Sequence, residues 1–376
     1  MRVAVLGRGL IGAAAARHLA KAGHEVLLIG PAEPADKRTH RGVFASHYDE
    51  GRITRRADAS PFWAEASAAS IARYGEIEAE GGIAFFTEVG GMMAGPDASP
   101  WMAKVRATVE ALALTHQALD RAALADRFPQ FDFPEDYAAI YEPEGAGHVS
   151  PRRLVAAQTE AARRLGAEAI EVEALGIDET GSGVRIATAA GSFDADRALV
   201  AAGAMSDHLL ARPPRNRVYA RTVALFEVDE AEGRRLAPTP SLVPEWAGSS
   251  GPYLLPPIRY PDGRLRLKIG GDPVDRPLGS PAEIGDWFRS GGDPAVRDHL
   301  EAVFREIMPG VAIRATSMDA CVTTYSDDGL PEIRAVAERI AVATAGNGAG
   351  AKCSDELGRR GAAAALAGLR EEEPAS

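Results

Sequence analysis

The chain has 376 residues, enough for about two domains at roughly 150 residues each. Its formal net charge of −11 argues against nucleic acids and anionic membranes as partners, because both require a basic surface. The composition, 46% hydrophobic with two cysteines, offers neither a disulfide framework nor a zinc-ligand spacing, and no segment approaches the ~20 apolar residues of a membrane span. We expect a cytoplasmic globular protein.

The first thirty residues have the pattern of a nucleotide-binding βαβ unit. A β-rich run at 2–6 leads into Gly7-Arg8-Gly9-Leu10-Ile11-Gly12, and an alanine-rich helical stretch is followed by a second β-rich run at 25–29. In this G-x-G-x-x-G fingerprint, Gly7 permits a tight turn, Gly9 lets the backbone approach a pyrophosphate, and Gly12 lets the helix pack on the strand. The glycine spacing alone is a weak signal in a chain with 39 glycines, but its strand–helix context predicts dinucleotide binding.

One element of the fingerprint is missing. An acidic residue that binds the ribose hydroxyls normally ends the second strand, and Gly30 occupies that position here. Glu33 is a candidate substitute, and it is equally well interpreted as a solvated loop acid. The gap does not distinguish FAD from NAD.

Similar units recur in the C-terminal half. Ser150-Pro151 has the pattern of a helix start, and residues 198–204 predict a buried strand that ends in a small-residue turn. Residues 340–344 predict another buried strand, followed by a glycine-rich loop at 346–350 and a helix at 354–369. Strand–glycine–helix units therefore lie near both ends of the chain.

The segments between these units have a different character. Residues 61–145 are rich in helical pattern and aromatic residues, and residues 213–317 contain long alternating strands. We therefore predict an α/β fold with a discontinuous, Rossmann-like nucleotide-binding domain assembled from 1–60, 146–212 and 318–376. An inserted substrate domain, built on a mostly antiparallel sheet, would come from 61–145 and 213–317.

Five segments together resemble a known family. They are Gly7 to Gly12, Ser46-His47 with Arg52-Ile53-Thr54-Arg55, Ala201 to Ala204, Arg266 to Gly270, and Cys321 with Asp328-Gly329-Leu330-Pro331 and Ala345 to Lys352. Their order along nearly the whole chain resembles the FAD-dependent D-amino-acid oxidase superfamily, most closely its monomeric sarcosine oxidase and N-methyl amino acid oxidase branch. The resemblance implies an FAD enzyme that oxidises a C–N bond of a small amine or amino acid to an imine and reduces O₂ to hydrogen peroxide.

The resemblance also assigns residues to the site. It implies that Arg55 and Lys352 bind a substrate carboxylate, that Lys268 lies over the flavin and promotes its reaction with oxygen, and that Tyr253 and Asp272 belong to the active site. Together with the fingerprint it gives a set of FAD-binding residues: Gly7, Gly9, Leu10, Ile11, Gly12, Glu33, Ser46, His47, Arg52, Ala202, Gly203, Cys321, Gly346, Gly348, Gly350 and Lys352.

Each charged candidate also has a simpler interpretation. Arg55 belongs to a basic run of the kind that faces water, although its planar guanidinium suits a carboxylate. Lys352 begins a helix, where a cation opposes the helix dipole and therefore needs a reason. Lys268 alternates with Leu267 and Ile269, so it is either a solvent-facing strand residue or a cation that stabilises charge developing on oxygen. At ~4 Å and an effective dielectric constant of ~20, that stabilisation is about 4 kcal/mol.

The sequence departs from the family pattern around the substrate. The segment between His47 and Arg52 is one residue longer, and the C-terminal glycine loop is one residue shorter. Thr323 stands where the family has a tyrosine, and Asp272 stands where it has a histidine. Asp272 is either a partner for a substrate ammonium or a turn residue, and Tyr253 is either an active-site or a core residue.

Cys321 matches the flavin-linking cysteine of sarcosine oxidases, so the resemblance implies a covalent flavin. A nearby cation would favour the nucleophilic thiolate, and the alternative role is that of a small buried hydrophobic residue. Three other functions stay open: an FAD dehydrogenase with another electron acceptor, an NAD(P)-dependent dehydrogenase with Lys37-Arg38 near a 2′-phosphate, and a non-catalytic flavoprotein subunit.

Overall fold

The computed structural model describes residues 1–249 and 251–368. In these ranges the strands are β1 (Arg2–Leu6), β2 (Glu25–Ile29), β3 (Arg52–Thr54), β4 (Phe86–Glu88), β5 (Gly91–Pro96), β6 (Gln117–Leu119), β7 (Tyr137–Glu142), β8 (Gly147–Val149), β9 (Glu168–Ile170), β10 (Ala174–Glu179), β11 (Val184–Thr188), β12 (Gly191–Ala195), β13 (Arg197–Val200), β14 (Arg217–Val228), β15 (Ser241–Pro244), β16 (Tyr253–Arg259), β17 (Leu265–Gly270), β18 (Arg276–Pro277), β19 (Ala315–Tyr325), β20 (Glu332–Ala335) and β21 (Ile340–Thr344). The helices are α1 (Leu10–Lys21), α2 (Pro61–Ile71), α3 (Tyr74–Gly81), α4 (Pro100–Ala111), α5 (Arg121–Arg127), α6 (Pro151–Arg164), α7 (Ser206–Leu209), α8 (Glu230–Leu236), α9 (Pro281–Ser290), α10 (Pro294–Ile307) and α11 (Gly350–Ala367).

A six-stranded sheet joins segments from both ends of the chain, in the order β20-β21-β13-β1-β2-β9. The strands from β21 to β9 are parallel, and β20 is antiparallel to β21. Parallel strands covered on both faces need continuous apolar runs, and β1 and β21 supply them. Helices α1, α6 and α11 pack on one face, and the small sheet β10-β11-β12 packs on the other. The predicted α/β fold is confirmed.

The second large sheet has nine strands. Their order is β18-β14-β17-β16-β15-β5-β7-β6, and β19 pairs with β14. Its strand pairs are antiparallel apart from β15 with β5. Leu267 and Ile269 of β17 lie in a core with Phe226 and Phe304, whose ring centroids are 4.2 Å apart. The strand alternation therefore places Lys268 on the opposite face of this sheet.

The two large sheets take their strands from different segments of the chain. The six-stranded sheet takes its strands from 2–29, 168–200 and 332–344, whereas the nine-stranded sheet takes its strands from 91–142 and 217–325. Strand β19 thus crosses the limit predicted at residue 318. The domain boundaries themselves stay a prediction.

The short strand β3 lies between the two large sheets. It pairs with β8 in a three-stranded sheet and contacts α11 on one side and β15 and β16 on the other. Arg52 and Arg55, at the two ends of β3, are therefore held between the nucleotide-type layer and the nine-stranded sheet.

The C-terminal helix starts earlier than its sequence pattern predicts. Helix α11 begins at Gly350 rather than at 354, and its described part ends at Ala367, while residue 369 lies outside the described residues. None of the helices in the described ranges combines the length and apolar character that a bilayer crossing demands.

Helices α1 and α11 pack at very close range. A Cβ atom on Gly358 of α11 would lie 2.7 Å from the backbone nitrogen of Ala15 and 2.8 Å from the backbone oxygen of Ile11. Both neighbours are backbone atoms and have no rotamer through which to move away. Any side chain at residue 358 therefore has to push the two helices apart.

We predict that Gly358→Ala lowers the stability by about 1–3 kcal/mol, the usual effect of overpacking a buried contact. Gly75→Ala in α3 is the matched control, because Gly75 is exposed and a Cβ there meets none of the described atoms within 4 Å. Alanine should be neutral or stabilising at that helical position. Thermal denaturation followed by circular dichroism compares the two, and equal midpoints for both variants would contradict the close packing.

Candidate cofactor and substrate site

The glycine-rich loop after β1 forms one wall of the site. Gly7 has a φ of +114°, which favours glycine, and a Cβ there would lie 2.3 Å from the Ala201 oxygen. Gly9 precedes α1, and a Cβ there would meet none of the described atoms within 4 Å. Open space therefore borders the first turn of α1, where backbone N–H groups are free to bind phosphate.

A cavity of about 350 Å³ occupies this space. Thirteen of the sixteen residues predicted to bind FAD line it: Gly7, Gly9, Leu10, Ile11, Ser46, His47, Arg52, Ala202, Gly203, Cys321, Gly346, Gly348 and Gly350. The remaining three, Gly12, Glu33 and Lys352, do not border it. A cavity at the carboxyl ends of parallel strands is where dinucleotide domains bind their ligand.

Arg8 takes the place of the missing ribose acid. A Cβ on Gly30 would lie 2.7 Å from the Arg8 nitrogen, so no acidic side chain fits at the end of β2. The Arg8 guanidinium donates to the Gly30 oxygen at 3.1 Å and to Glu171 at 3.2 Å. Glu33 is bound by Arg152 through two contacts of 2.6 Å. Glu33 does not border the cavity, and its role as the substitute stays a prediction.

A fully buried lysine and a half-buried arginine meet next to the cavity, which Arg52 lines and Lys268 does not. Lys268 is fully buried, and its Nζ contacts a carboxylate oxygen of Asp49 and donates to the Gly51 oxygen at 2.8 Å. The Arg52 guanidinium contacts the same Asp49 oxygen and donates to Cys321 Sγ at 3.3 Å. The interpretation of Lys268 as a solvent-facing residue is therefore wrong.

The surroundings of Lys268 act on its charge in opposite directions. Burial and the neighbouring Arg52 lower the pKa of Lys268 to about 8. The adjacent Asp49 carboxylate favours the charged form and opposes both effects. Lys268 is consequently a cation near neutral pH.

The two cysteines lie in different environments. Cys321, on β19, is partly exposed, lines the cavity and contacts Arg52. Cys353, on α11, is fully buried with its Sγ 3.7 Å from the Trp63 oxygen, and burial raises its pKa to about 11. Of the two, Cys321 is the thiol with both an adjacent cation and access to the cavity.

The two cations expected to bind a substrate carboxylate already share a carboxylate of the chain. Arg55 and Lys352 are both buried, so Arg55 is not a solvated member of a basic run. The Oδ2 atom of Asp58 lies 2.8 Å from Lys352 Nζ and 3.4 Å from Arg55 Nη2. Burial opposes ionisation of Asp58, but the two cations outweigh it and lower its pKa to about 2. These three side chains form the Arg55–Asp58–Lys352 cluster, which does not border the cavity.

The structure separates the last two candidates, Tyr253 and Asp272. The Tyr253 ring centroid lies 5.4 Å from Lys268 Nζ, so Tyr253 packs against this lysine, although neither residue lines the cavity. The Asp272 carboxylate accepts a hydrogen bond from the Thr222 backbone at 3.0 Å, and burial raises its pKa to about 6. Because its carboxylate is already bound by the backbone, the role of a turn residue fits the structure better than contact with a substrate ammonium.

Comparison with known proteins identifies the family. The model of the DAO family, FAD dependent oxidoreductases, matches residues 2–364. The chain belongs to this family. It is therefore an FAD-dependent enzyme, as the five sequence segments predict, and the NAD(P)-dependent alternative is wrong.

Relatives of this FAD-dependent oxidoreductase match over almost their whole length. The chain is 28% identical to monomeric sarcosine oxidase of Bacillus sp. (strain NS-129) over 387 residues, covering 99% of this chain and 94% of the relative. It is 25% identical to N-methyl-L-tryptophan oxidase of Yersinia pestis (strain Pestoides F), covering 94% and 92%.

Solved structures show the same fold at lower identity. A variant of NikD, an amino acid oxidase essential for nikkomycin biosynthesis, superposes with a TM-score of 0.77 at 19% identity, covering 97% of this chain and 93% of that one. Amadoriase I from Aspergillus fumigatus gives 0.74 at 20% identity, covering 98% and 87%.

FAD fits the polar groups that the cavity of this oxidoreductase presents. Within the described residues, three buried atoms of cavity-lining residues have no hydrogen-bond partner: His47 Nδ1, the Tyr48 hydroxyl oxygen and Thr323 Oγ1. Burial, with Arg152 and Arg52, lowers the pKa of His47 to about 3, so its ring is neutral. Buried polar atoms normally have partners, and a flavin nucleotide offers both donors and acceptors.

Three charged residues at the site escape sequence reasoning. Asp49 lies in the segment that is one residue longer than in the family, and Asp58 and Arg8 lie within three residues of assigned positions. Each pairs with a group more than twenty residues away: Lys268 for Asp49, Lys352 for Asp58, and Gly30 for Arg8. The sequence signal for these three residues is that each lies close to a motif. This closeness does not identify the group with which each residue pairs.

We predict that Gly9→Val folds normally but loses FAD. The position has extended backbone angles and open space, so the fold tolerates a side chain, but that side chain would fill the phosphate end of the cavity. We expect FAD affinity to fall at least about tenfold, since the pyrophosphate must approach the backbone closely. FAD titration of the apoprotein by fluorescence quenching measures this. A variant that binds FAD as tightly as the parent would contradict the assignment of the cavity.

Proposed function

We propose that this enzyme is an oxidase that converts the C–N bond of a small amine or amino acid to an imine, with O₂ as the electron acceptor and hydrogen peroxide as a product. The observation that carries the proposal is the fully buried cation Lys268 beside the flavin cavity. Burying a lysine is unfavourable unless its charge is used or paired. Here Asp49 pairs it only in part, because Asp49 is shared with Arg52.

The residues at and near the cavity have separate roles in the reaction. Bound FAD supplies the redox chemistry, taking a hydride equivalent from the carbon next to nitrogen and giving two electrons to O₂. Lys268 stabilises the negative charge that develops on oxygen, and Arg55 and Lys352 form a two-cation site in which Asp58 already supplies one carboxylate. His47 is neutral, and no protein base is required if the amine binds in its neutral form.

An anaerobic substrate screen tests the proposed reaction. The holoenzyme is mixed with N-methyl amino acids, D- and L-amino acids, cyclic imino acids and secondary amines, and loss of flavin absorbance is recorded. Air is then admitted and peroxide is measured. Bleaching without peroxide would replace the oxidase with an FAD dehydrogenase that uses another acceptor.

We predict that Lys268→Met slows reoxidation of the reduced enzyme by roughly two to three powers of ten, because the cation that stabilises charge on oxygen is lost. Flavin reduction by substrate should change far less. Stopped-flow mixing of reduced enzyme with O₂ measures the rate. The parent's rate should fall as the pH rises through about 8, where Lys268 loses its proton, and the variant should show no such fall.

The matched control for this prediction is Lys21→Met. Lys21 also pairs with carboxylates, Glu76 and Glu80, but it lies at the far end of α1, about 17 Å along the helix from the cavity. Its replacement should leave reoxidation unchanged. If both lysine variants reoxidise like the parent, Lys268 has no part in oxygen chemistry.

We also propose that Cys321 holds the flavin covalently. Its sulfur lines the cavity and lies 3.3 Å from Arg52, within reach of a flavin bound there, whose electron-poor 8α carbon it would attack. Formation of the C–S bond removes the thiol proton, one methyl proton and two electrons, and O₂ takes these up as hydrogen peroxide. Cys353 has neither the cation contact nor the access.

Acid precipitation decides the linkage. We predict that flavin colour stays in the pellet of the parent and of Cys353→Ala, and moves to the supernatant for Cys321→Ala. Mass spectrometry of the parent should show a peptide containing Cys321 with the added mass of FAD. Colour released by the parent itself would leave a non-covalent FAD enzyme.

A further inference from the structure

The Arg55–Asp58–Lys352 cluster is an anion site that the chain occupies with its own carboxylate. Asp58 Oδ2 lies between the two cations, at 2.8 Å from Lys352 Nζ and 3.4 Å from Arg55 Nη2. The other oxygen, Oδ1, accepts the Ser60 backbone N–H at 3.1 Å. Both carboxylate oxygens are therefore fixed, and the bridging position between the cations is taken.

The cluster keeps one unit of positive charge and some unused donors. Arg55 and Lys352 contribute two positive charges and Asp58 one negative charge, since the two cations lower the pKa of Asp58 to about 2. Within the described residues, Arg55 Nε is buried without a hydrogen-bond partner. An anion could therefore still reach Arg55, but at a single edge and against the repulsion of Asp58.

We propose that Asp58 is a specificity-determining residue which makes this enzyme prefer amines that carry no free carboxylate. The inference rests on the proposed amine oxidation. A ligand carboxylate would lose the bridging contact with Lys352 and would lie a few ångströms from a second carboxylate. Coulomb's law at ~5 Å and an effective dielectric constant of ~20 makes that repulsion worth roughly a few hundredfold in affinity, and screening by salt and water reduces it to roughly 10- to 100-fold. A neutral ligand of the same shape does not meet this repulsion.

Binding of a matched ligand pair to the holoenzyme tests the proposal without requiring turnover. Propionate and propionamide have nearly the same shape and differ in charge, and isothermal titration calorimetry gives the dissociation constant of each. The discrimination ratio is the constant for propionamide divided by that for propionate. Because neither ligand is oxidised, the ratio has a meaning even if no amine substrate is found, and failure of the proposed reaction remains distinguishable.

Four proteins are compared: the parent, Asp58→Asn, Asp58→Asn with Arg55→Ala, and Glu142→Gln. Glu142 is the charge control, since it is a buried carboxylate that contacts Arg56 at 2.9 Å and the Ala57 backbone at 2.8 Å, but neither Arg55 nor Lys352. Asp58→Ser serves as a second variant if the asparagine variant does not fold.

We expect a discrimination ratio below one for the parent and for Glu142→Gln, because the proposal has both proteins bind the amide more tightly than the carboxylate. The ratio should rise roughly 10- to 100-fold for Asp58→Asn and return to the parent's value when Arg55 is also replaced. A parent that prefers propionate more than about tenfold, with no further gain in Asp58→Asn and Asp58→Ser, would overturn the proposal. So would an equal gain in Glu142→Gln, because the effect would then be one of general charge.

Discussion

The close contact between α1 and α11 is the constraint on which the site depends. Because Gly358 has no side chain, the backbones of the two helices approach each other closely. The nearby Asp355 is fully buried. Its carboxylate accepts hydrogen bonds from Gln158 at 2.9 Å and Arg17 at 3.3 Å, and shares one with His18 at 3.0 Å. A buried carboxylate is tolerated only when its partners are in place. Because α1 follows the first glycine loop and α11 follows the last, this contact brings loops more than 330 residues apart to one cavity.

The same electrostatic rule explains the charges near that cavity. Lys268 and Lys352 are almost completely removed from water, and each contacts one aspartate. In both cases the aspartate is shared with an arginine, Arg52 or Arg55, so each group of three keeps a net positive charge. Full neutralisation would leave buried pairs without further function, whereas a residual charge at a cofactor or substrate site can act on the reaction.

The sequence predicts the parts of this site that depend on local pattern. The G-x-G-x-x-G loop, the glycine loop at 346–350 and the alternation around Lys268 are short-range features, and the structure places all of them as expected. It does not predict Arg8 over Gly30, because that contact depends on how the loop closes on β2. Glu33 shows why local pattern is not enough. Its position in the sequence suits a ribose ligand, but its carboxylate is bound by Arg152, 119 residues away. The contact of Asp272 with the Thr222 backbone is equally out of reach, because the two residues are 50 positions apart in the chain.

Segment 46–60 contributes charged residues to both of these groups. It contains the cations Arg52 and Arg55. It also contains Asp49 and Asp58, which pair with the buried lysines. One stretch of chain therefore sets the charge near the flavin cavity and in the Arg55–Asp58–Lys352 cluster. The lysines come from elsewhere, on β17 and α11. A change of length or of one acid in this segment therefore alters the field at both places while the lysines stay fixed. The segment is one residue longer than in the family between His47 and Arg52, and it contains Asp58. We infer that Asp58 modifies substrate choice in this enzyme by occupying the site that the two cations of the family motif form.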